Sequence, residues 1–179
     1  MLTLLVGGAR SGKSSLAVAI GRRHPGPVVF LATAQPFDDE LALRVQRHRD
    51  ERPPHWLTVE EPVELAAAIV GAADDALLVV DCLTVWMGNL AHHQPLQHLR
   101  DDAARDVVAA LAARRGSTVV VSNEVGMGIV PEHASGRDYR DELGRLNQAV
   151  ASIAGRTLFL VAGRALPLDD PWTFLGGNG

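Results

Sequence analysis

The chain has a single cysteine, Cys82, among its 179 residues. An intrachain disulfide is therefore impossible, and nothing calls for an oxidising compartment. No uncharged apolar run approaches the ~20 residues that span a bilayer. The net charge of −4 offers no general attraction to nucleic acid or to an anionic membrane. The strand-like run Leu2 to Val6 has no basic segment ahead of it and no small-residue cleavage site after it, so a cytoplasmic protein is expected. Lysine is scarcer still. Lys13 is the only one, against sixteen arginines. Arg-rich codon usage in a GC-rich genome accounts for the sixteen but not for the one, which falls inside a phosphate-binding pattern.

What is present is an ordinary globular composition, 47% apolar and 21% charged. Short apolar runs read as strands at Thr3–Val6, Val28–Ala32, Leu77–Asp81, Thr118–Ser122 and Thr157–Val161. Most are continuously apolar, as parallel strands covered on both faces must be. Between them, helical spacing marks Lys13–Arg23, Asp39–Arg49, Pro62–Val70, Gln97–Arg114 and Arg137–Ala154. This alternation predicts an α/β domain with a mostly parallel central sheet flanked by helices. With no repeat or linker inside it, one domain is expected over 1–166. The Pro- and Gly-rich residues 167–179 read as a loosely held tail.

Gly7-Gly8-Ala9-Arg10-Ser11-Gly12-Lys13-Ser14 fits G-x-x-x-x-G-K-[ST] at every fixed position, between a strand and a helix. Glycines let the backbone wrap closely and turn its N–H groups toward an anion, and the helix N-terminus adds partial positive charge. Lys13 is expected on the β- and γ-phosphates of ATP or GTP, and Ser14 on Mg²⁺. The run Leu77 to Val80 ends in Asp81 where the C-terminal edge of the sheet should lie, which is where open α/β sheets bind ligands. Asp81 is the candidate acid for the magnesium, the alternative being a plain turn former. The expected fold is thus a single P-loop NTPase domain of the RecA-like kind.

A second constellation surrounds His48. If Asp39 onward is helical, Leu41, Val45, His48 and Arg52 share a face, with Arg44, Arg47 and Arg49 close by. Cations disfavour the imidazolium, and a neutral imidazole among phosphate-seeking arginines suits attack on phosphorus. A solvated basic helix with an incidental histidine is the alternative on spacing alone. The other histidines, His24, His92, His93, His98 and His133, lack metal-ligand spacing and read as surface residues.

Over residues 2 to 165 the sequence resembles the bifunctional adenosylcobinamide kinase / adenosylcobinamide-phosphate guanylyltransferase family of cobalamin biosynthesis. The resemblance rests on Gly7–Ser14, Ala32-Thr33-Ala34-Gln35, Asp38-Asp39-Glu40, the His48 region through Arg52-Pro53 and His55-Trp56, Asn123 to Pro131, and Gly144 to Gln148. The P-loop is shared by many families. The His48 segment together with Asn-Glu-Val-Gly-Met-Gly is specific to this one. Family members often carry two adjacent histidines where this chain has Arg47 and His48.

The resemblance implies that His48 takes GMP from GTP as a covalent phosphoramidate. It also implies that the P-loop, Thr33, Ala34, Gln35, Arg49, Asp50, Glu51, Arg52, Glu60 and Asp81 hold the guanine nucleotide. Glu60 or Glu61 is the candidate for the guanine N1–H and amine. The implied substrates are adenosylcobinamide and its phosphate, and the implied assembly is a homotrimer, with no nucleic-acid partner and no membrane insertion. Asn123–Pro131 should open at the C-terminal edge of the sheet, with Gly126 and Gly128 marking either a plain turn or the close approach of a substrate or of a neighbouring subunit. Two rivals remain at this point: a P-loop small-molecule kinase without the guanylyl step, and a non-enzymatic nucleotide switch.

Overall fold

The apolar runs form strands buried on both faces, and their alternate residues feed two separate cores. In β1 (Leu2–Gly7), Leu4 and Val6 point into one core and Leu5 into the other. In β4 (Leu77–Asp81), Leu78 and Val80 face the first core while Leu77 and Val79 face the second. This is the period-two geometry of a strand, with both sides apolar because both are covered. The computed structural model in which this is seen describes residues 1–35, 49 and 52–175.

The other strands are β2 (Val28–Ala32), β3 (Leu57–Glu60), β5 (Thr118–Asn123), β6 (Arg156–Val161) and β7 (Arg164–Leu168). They form one seven-stranded sheet in the order β3-β2-β4-β5-β1-β6-β7. All neighbouring pairs are parallel except β6 with β7. Helix α1 (Lys13–Arg23) covers one face, with Ala17 and Val18 packed on Leu5, Phe30 and Val79. The opposite face carries α2 (Leu65–Gly71), α3 (Leu83–His93), α4 (Gln97–Ala113) and α5 (Ala134–Ile153), which bury Leu65, Trp86, Met87, Val107 and Leu143. A short α6 (Pro171–Leu175) follows β7.

Close packing explains two sequence choices. Gly21 lies in α1 where a Cβ would stand 2.5 Å from Cη2 of Trp56, so only a glycine lets the helix settle on that indole. Trp56 in turn stacks on Phe30 with ring centroids 6.4 Å apart. Across the other face, Arg100 of α4 makes a two-pronged ion pair with buried Glu142 of α5, at 2.9 and 2.6 Å. The remaining nitrogen, Nη1 of Arg100, donates to the carbonyls of Gln94 and Pro95.

The expected strands are all present, three of them longer by one residue at one or both ends. The expected helix Asp39–Arg49 lies outside the described residues, apart from Arg49. The helix expected from Pro62 starts at Leu65, because the Glu61 carboxylate first accepts the N–H groups of Val63 and Glu64. The division expected at residue 166 falls inside β7: Pro167 pairs with Leu158 and Leu168 with Thr157. Proline is tolerated there because β7 is an edge strand. Strands β3 and β7 and helices α3 and α6 were not anticipated.

Candidate functional site

At the end of β1 the chain turns sharply and enters α1 through Gly12, whose φ of 98° is left-handed and open to glycine. Gly8, Ala9 and Arg10 are exposed, whereas Ser11 and Lys13 are buried. The ammonium of Lys13 is held by the loop itself. It donates to the carbonyls of Gly7 at 2.9 Å and Gly8 at 2.6 Å, and to Ser11 Oγ at 3.3 Å. Burial lowers its pKa, and the charges of Cys82 and Asp81 oppose that shift. At the next residue, Ser14 Oγ donates to Asp81 Oδ1 at 3.2 Å. The phosphate loop and the strand-end acid, far apart in sequence, therefore meet.

The loop is braced from behind by the β6–β7 hairpin. Its turn residues Ala162 and Gly163 have φ values of 51° and 71°, the paired left-handed geometry of a tight hairpin. The Gly163 N–H donates to the Ser11 carbonyl at 3.0 Å. A Cβ on Gly7 would stand 2.3 Å from the Leu160 carbonyl oxygen, so loop and hairpin admit no side chain between them there.

Beside Asp81 a network of buried polar groups fixes the strand ends. Thr33 is wholly buried, its hydroxyl donating to the Cys82 carbonyl at 2.8 Å and accepting the Cys82 N–H at 2.9 Å. Asn89 of α3 donates to the Thr33 carbonyl at 2.7 Å and to that of Pro62 at 3.1 Å. Burial pushes the Cys82 thiol up to about 11, and the Asp81 charge adds to the shift. Thr84 Oγ accepts the Asn123 N–H at 2.7 Å, and the Thr84 carbonyl accepts the Tyr139 hydroxyl at 2.9 Å. Burial raises Tyr139 to about 12, which keeps it a neutral donor. Asn147 of α5 accepts from Ser122 Oγ at 2.6 Å and donates to the Asn123 carbonyl at 3.0 Å. Glu124 closes the ring by donating its N–H to the Gly7 carbonyl at 3.0 Å.

At the far side of the same edge, Arg49 Nη1 lies 3.2 Å from Glu60 Oε1 in an exposed ion pair. Arg52 sits over the Phe30 ring, 3.9 Å from its centroid. Of the two candidate glutamates, Glu61 is engaged with backbone N–H groups, and Glu60 is the one that faces Arg49. Gln35 follows β2 with a buried Oε1 that has no hydrogen-bond partner among the described residues.

The structure thus brings together Gly7 to Ser14 and Asp81, and it pairs Arg49 with Glu60. Thr33 stands behind the site, its hydroxyl committed to Cys82, and Ala34 and Gln35 continue from it along the sheet edge. His48, Asp50 and Glu51 lie outside the described residues. Sequence reading missed Thr84, Asn89, Asn147 and Gly163. A turn of two left-handed residues between two apolar runs was legible at Ala162-Gly163, but Pro167 masked the second run. Buried amides such as Asn89 and Asn147 carry no spacing signal of their own. His92, His93, His98 and His133 are exposed, and among the described residues no group of three or more His, Cys, Asp or Glu is placed to hold a metal.

Comparison with known proteins gives the family. The bifunctional adenosylcobalamin biosynthesis protein CobP of Pseudomonas aeruginosa is 43% identical over 169 residues, covering 94% of this chain and 97% of that one. CobU of Salmonella typhimurium, described by the same phrase, is 39% identical over 177 residues and covers 91% and 97%. Among solved structures, an ATPase of a bacterial type III secretion system superposes with a TM-score of 0.57 at 13% identity, covering 98% of this chain and 53% of that one. The RadB recombinase gives 0.53 at 15% identity, covering 88% and 73%. These two likenesses establish the fold, a P-loop NTPase domain of the RecA-like kind. Residues 3–168 match the family described as cobinamide kinase / cobinamide phosphate guanyltransferase, and the chain belongs to that family.

Proposed function

We infer that this chain phosphorylates adenosylcobinamide with ATP or GTP and then transfers GMP from GTP to the product, giving adenosylcobinamide-GDP. One observation carries the reading. A chain aligned over 91–94% of its length with bifunctional relatives also closes its phosphate loop onto Asp81, with Ser14 Oγ 3.2 Å from the carboxylate.

In the first step Lys13 exchanges the Gly7 and Gly8 carbonyls for β- and γ-phosphate oxygens, and the loop N–H groups hold the rest of the chain of phosphates. The acceptor hydroxyl oxygen bonds to the γ-phosphorus as the bond to the β–γ bridging oxygen breaks. The nucleoside diphosphate leaves, and the hydroxyl proton passes to solvent. Ser14 and Asp81 fit a hard divalent cation, Mg²⁺ in this reading, whose charge would offset that on the transferring oxygens.

In the second step His48 attacks the α-phosphorus of GTP and pyrophosphate departs. A phosphate oxygen of adenosylcobinamide phosphate then bonds to that phosphorus as the N–P bond breaks. Splitting one displacement into two is what a covalent intermediate achieves. Arg49 and Arg52, with Asp50 and Glu51, would frame the nucleotide on the β2 side, beside Thr33 to Gln35. Glu60 would take the guanine N1–H and amine. By family resemblance the enzyme works as a homotrimer, and we place it in the cytoplasm.

The test uses GTP labelled at the α-phosphate. Label should attach to the protein through a bond that acid destroys and alkali spares, as P–N bonds behave. His48→Ala should abolish labelling and guanylyl transfer while retaining phosphorylation of adenosylcobinamide, and His55→Ala should label normally. Phosphorylation with no adduct under any condition would leave a plain kinase. Label on the His48→Ala protein would remove His48 from the role.

A further inference from the structure

Helix α3 carries a glycine from which the helix itself gains nothing. Gly88 lies in the middle of Leu83–His93, is exposed, and would find nothing within 4 Å of an added Cβ. Relative to alanine it costs the helix about 1 kcal/mol, with no neighbour whose packing requires it. A glycine at such a point lets another molecule approach the helix backbone. Gly88 lines an open cavity of about 470 Å³ with Thr84, Val85, Asn89, His92 and Tyr139.

A short chain of hydrogen bonds joins the cavity wall to the phosphate loop. Asp81, bonded to Ser14, is three residues from Thr84. Thr84 holds the Asn123 N–H, and the next residue, Glu124, holds the Gly7 carbonyl. Helices α3 and α1 lie on opposite faces of the sheet, so the cavity lies on the face away from the helix that follows the phosphate loop.

The lining is mostly carbon. Val85 is 39% exposed, the Tyr139 hydroxyl is turned onto Thr84, and the Asn89 amide is turned onto Thr33 and Pro62. The loop that leaves Asn123 exposes Met127, Ile129 and Val130. Its start is tied to Thr84 and Gly7. Its end is tied by Arg137, which donates to the carbonyls of Pro131 and Glu132 from the same helix as Tyr139. The loop is therefore anchored at one end to Thr84 of the cavity wall and at the other to the helix that carries Tyr139. Solvated apolar side chains gathered next to a pocket mark a binding surface.

We propose that this cavity, with residues 124–131 as its lip, seats the corrinoid acceptor and directs its hydroxyl across the Asp81–Thr84 turn to the γ-phosphate. The occupant is an amphipathic macrocycle whose methyl-rich rim suits the lip. A cavity of this size takes one edge of the ring with its alcohol arm, and the remainder lies on Met127, Ile129 and Val130. The assignment rests on the corrinoid reading above. It places the acceptor on the α3 face and the nucleotide on the α1 face.

Gly88→Trp fills the cavity from the helix side, where there is open space for the indole. In the kinase assay the KM for adenosylcobinamide should rise at least about tenfold, while kcat and the KM for ATP move less than about twofold. Gly88→Leu, a smaller filling, should raise the acceptor KM by a lesser factor in the same direction and covers the case of a misfolded tryptophan variant. Titration calorimetry with adenosylcobinamide should show the same loss in direct binding. If the parent protein neither phosphorylates adenosylcobinamide nor forms the GMP adduct, the functional reading fails and this one with it. If the parent does both and the folded Gly88 variants keep the acceptor KM unchanged, the cavity is not the acceptor site. An ATP KM that rises as much as the acceptor KM overturns the assignment equally.

Discussion

Replacing Gly21 with alanine should destabilise the protein, although alanine is the better helix former. Two opposed effects decide the sign. The helix gains about 1 kcal/mol from losing a glycine in its interior. Against this, the new Cβ would lie 2.5 Å from Cη2 and 2.8 Å from Cζ2 of Trp56. The indole cannot swing aside, because it is only 7% exposed and is stacked on Phe30. Overpacking a closed core of this kind costs roughly 1–3 kcal/mol. The overlap wins, leaving a net loss of about 1 kcal/mol, or a fall of about 2–4 °C in Tm for a domain of this size. In a Trp56→Phe background the offending atoms are gone, and the same Gly21→Ala change should become stabilising by up to about 1 kcal/mol. Urea unfolding of the four proteins in that cycle measures the reversal. Equal effects of Gly21→Ala in both backgrounds, or a gain in the parent, would refute the packing argument.

Lys13→Ala should abolish both phosphoryl and guanylyl transfer with the fold intact. Lys13→Arg should fail too, since a planar guanidinium cannot replace a compact ammonium held by the two carbonyls of Gly7 and Gly8. Circular dichroism alongside turnover checks both. Asp81→Asn should lower magnesium-dependent turnover by roughly a hundredfold or more, while Tm changes by only a few degrees; normal turnover in a destabilised protein would make Asp81 a strand end and nothing more. Stability should fall with alkali. Cys82 has a folded pKa of about 11 against an ordinary 9.0, so the folded state keeps a proton that the unfolded state loses. The contribution is whole below pH 9 and is lost between 9 and 11, up to about 2–3 kcal/mol. Cys82→Ser should remove that part of the slope in urea titrations at pH 8.5 and 10.5.

The legible parts of this molecule are those in which local chemistry and tertiary role agree. Leu77 to Asp81 reads as a buried strand ending in an acid, and it is one, with the acid bonded to Ser14. Lys13 to Arg23 reads as a helix because the motif forces its start and amphipathic spacing carries it on. The illegible parts depend on partners distant in sequence. Strand β3 is four residues long with exposed ends, and only pairing with β2 makes it a strand. Strand β7 holds a proline that argues against a sheet until its edge position is known. Helix α3 follows β4 after Cys82 alone, and Gly88 interrupts its helical signal. At the site, Asn123 and Asp81 could be placed at the sheet edge by counting, but the roles of Thr84, Asn89 and Asn147 exist only once three elements converge.

The bracing of the phosphate loop bears on when the enzyme becomes active during its own synthesis. Residues 7 to 14 leave the ribosome before the rest of the site, yet β1 takes its place between β5 and β6. The loop also leans on Leu160 and on the Gly163 N–H. Contacts between such distant stretches of chain form late, because the entropy of closing so long a loop opposes them until the intervening structure is built. The nucleotide motif is thus the earliest translated part of the site and among the last to be shaped. A nascent chain stopped before residue 160 would carry the whole P-loop sequence without the hairpin that sets its curvature, and would leave cellular GTP untouched.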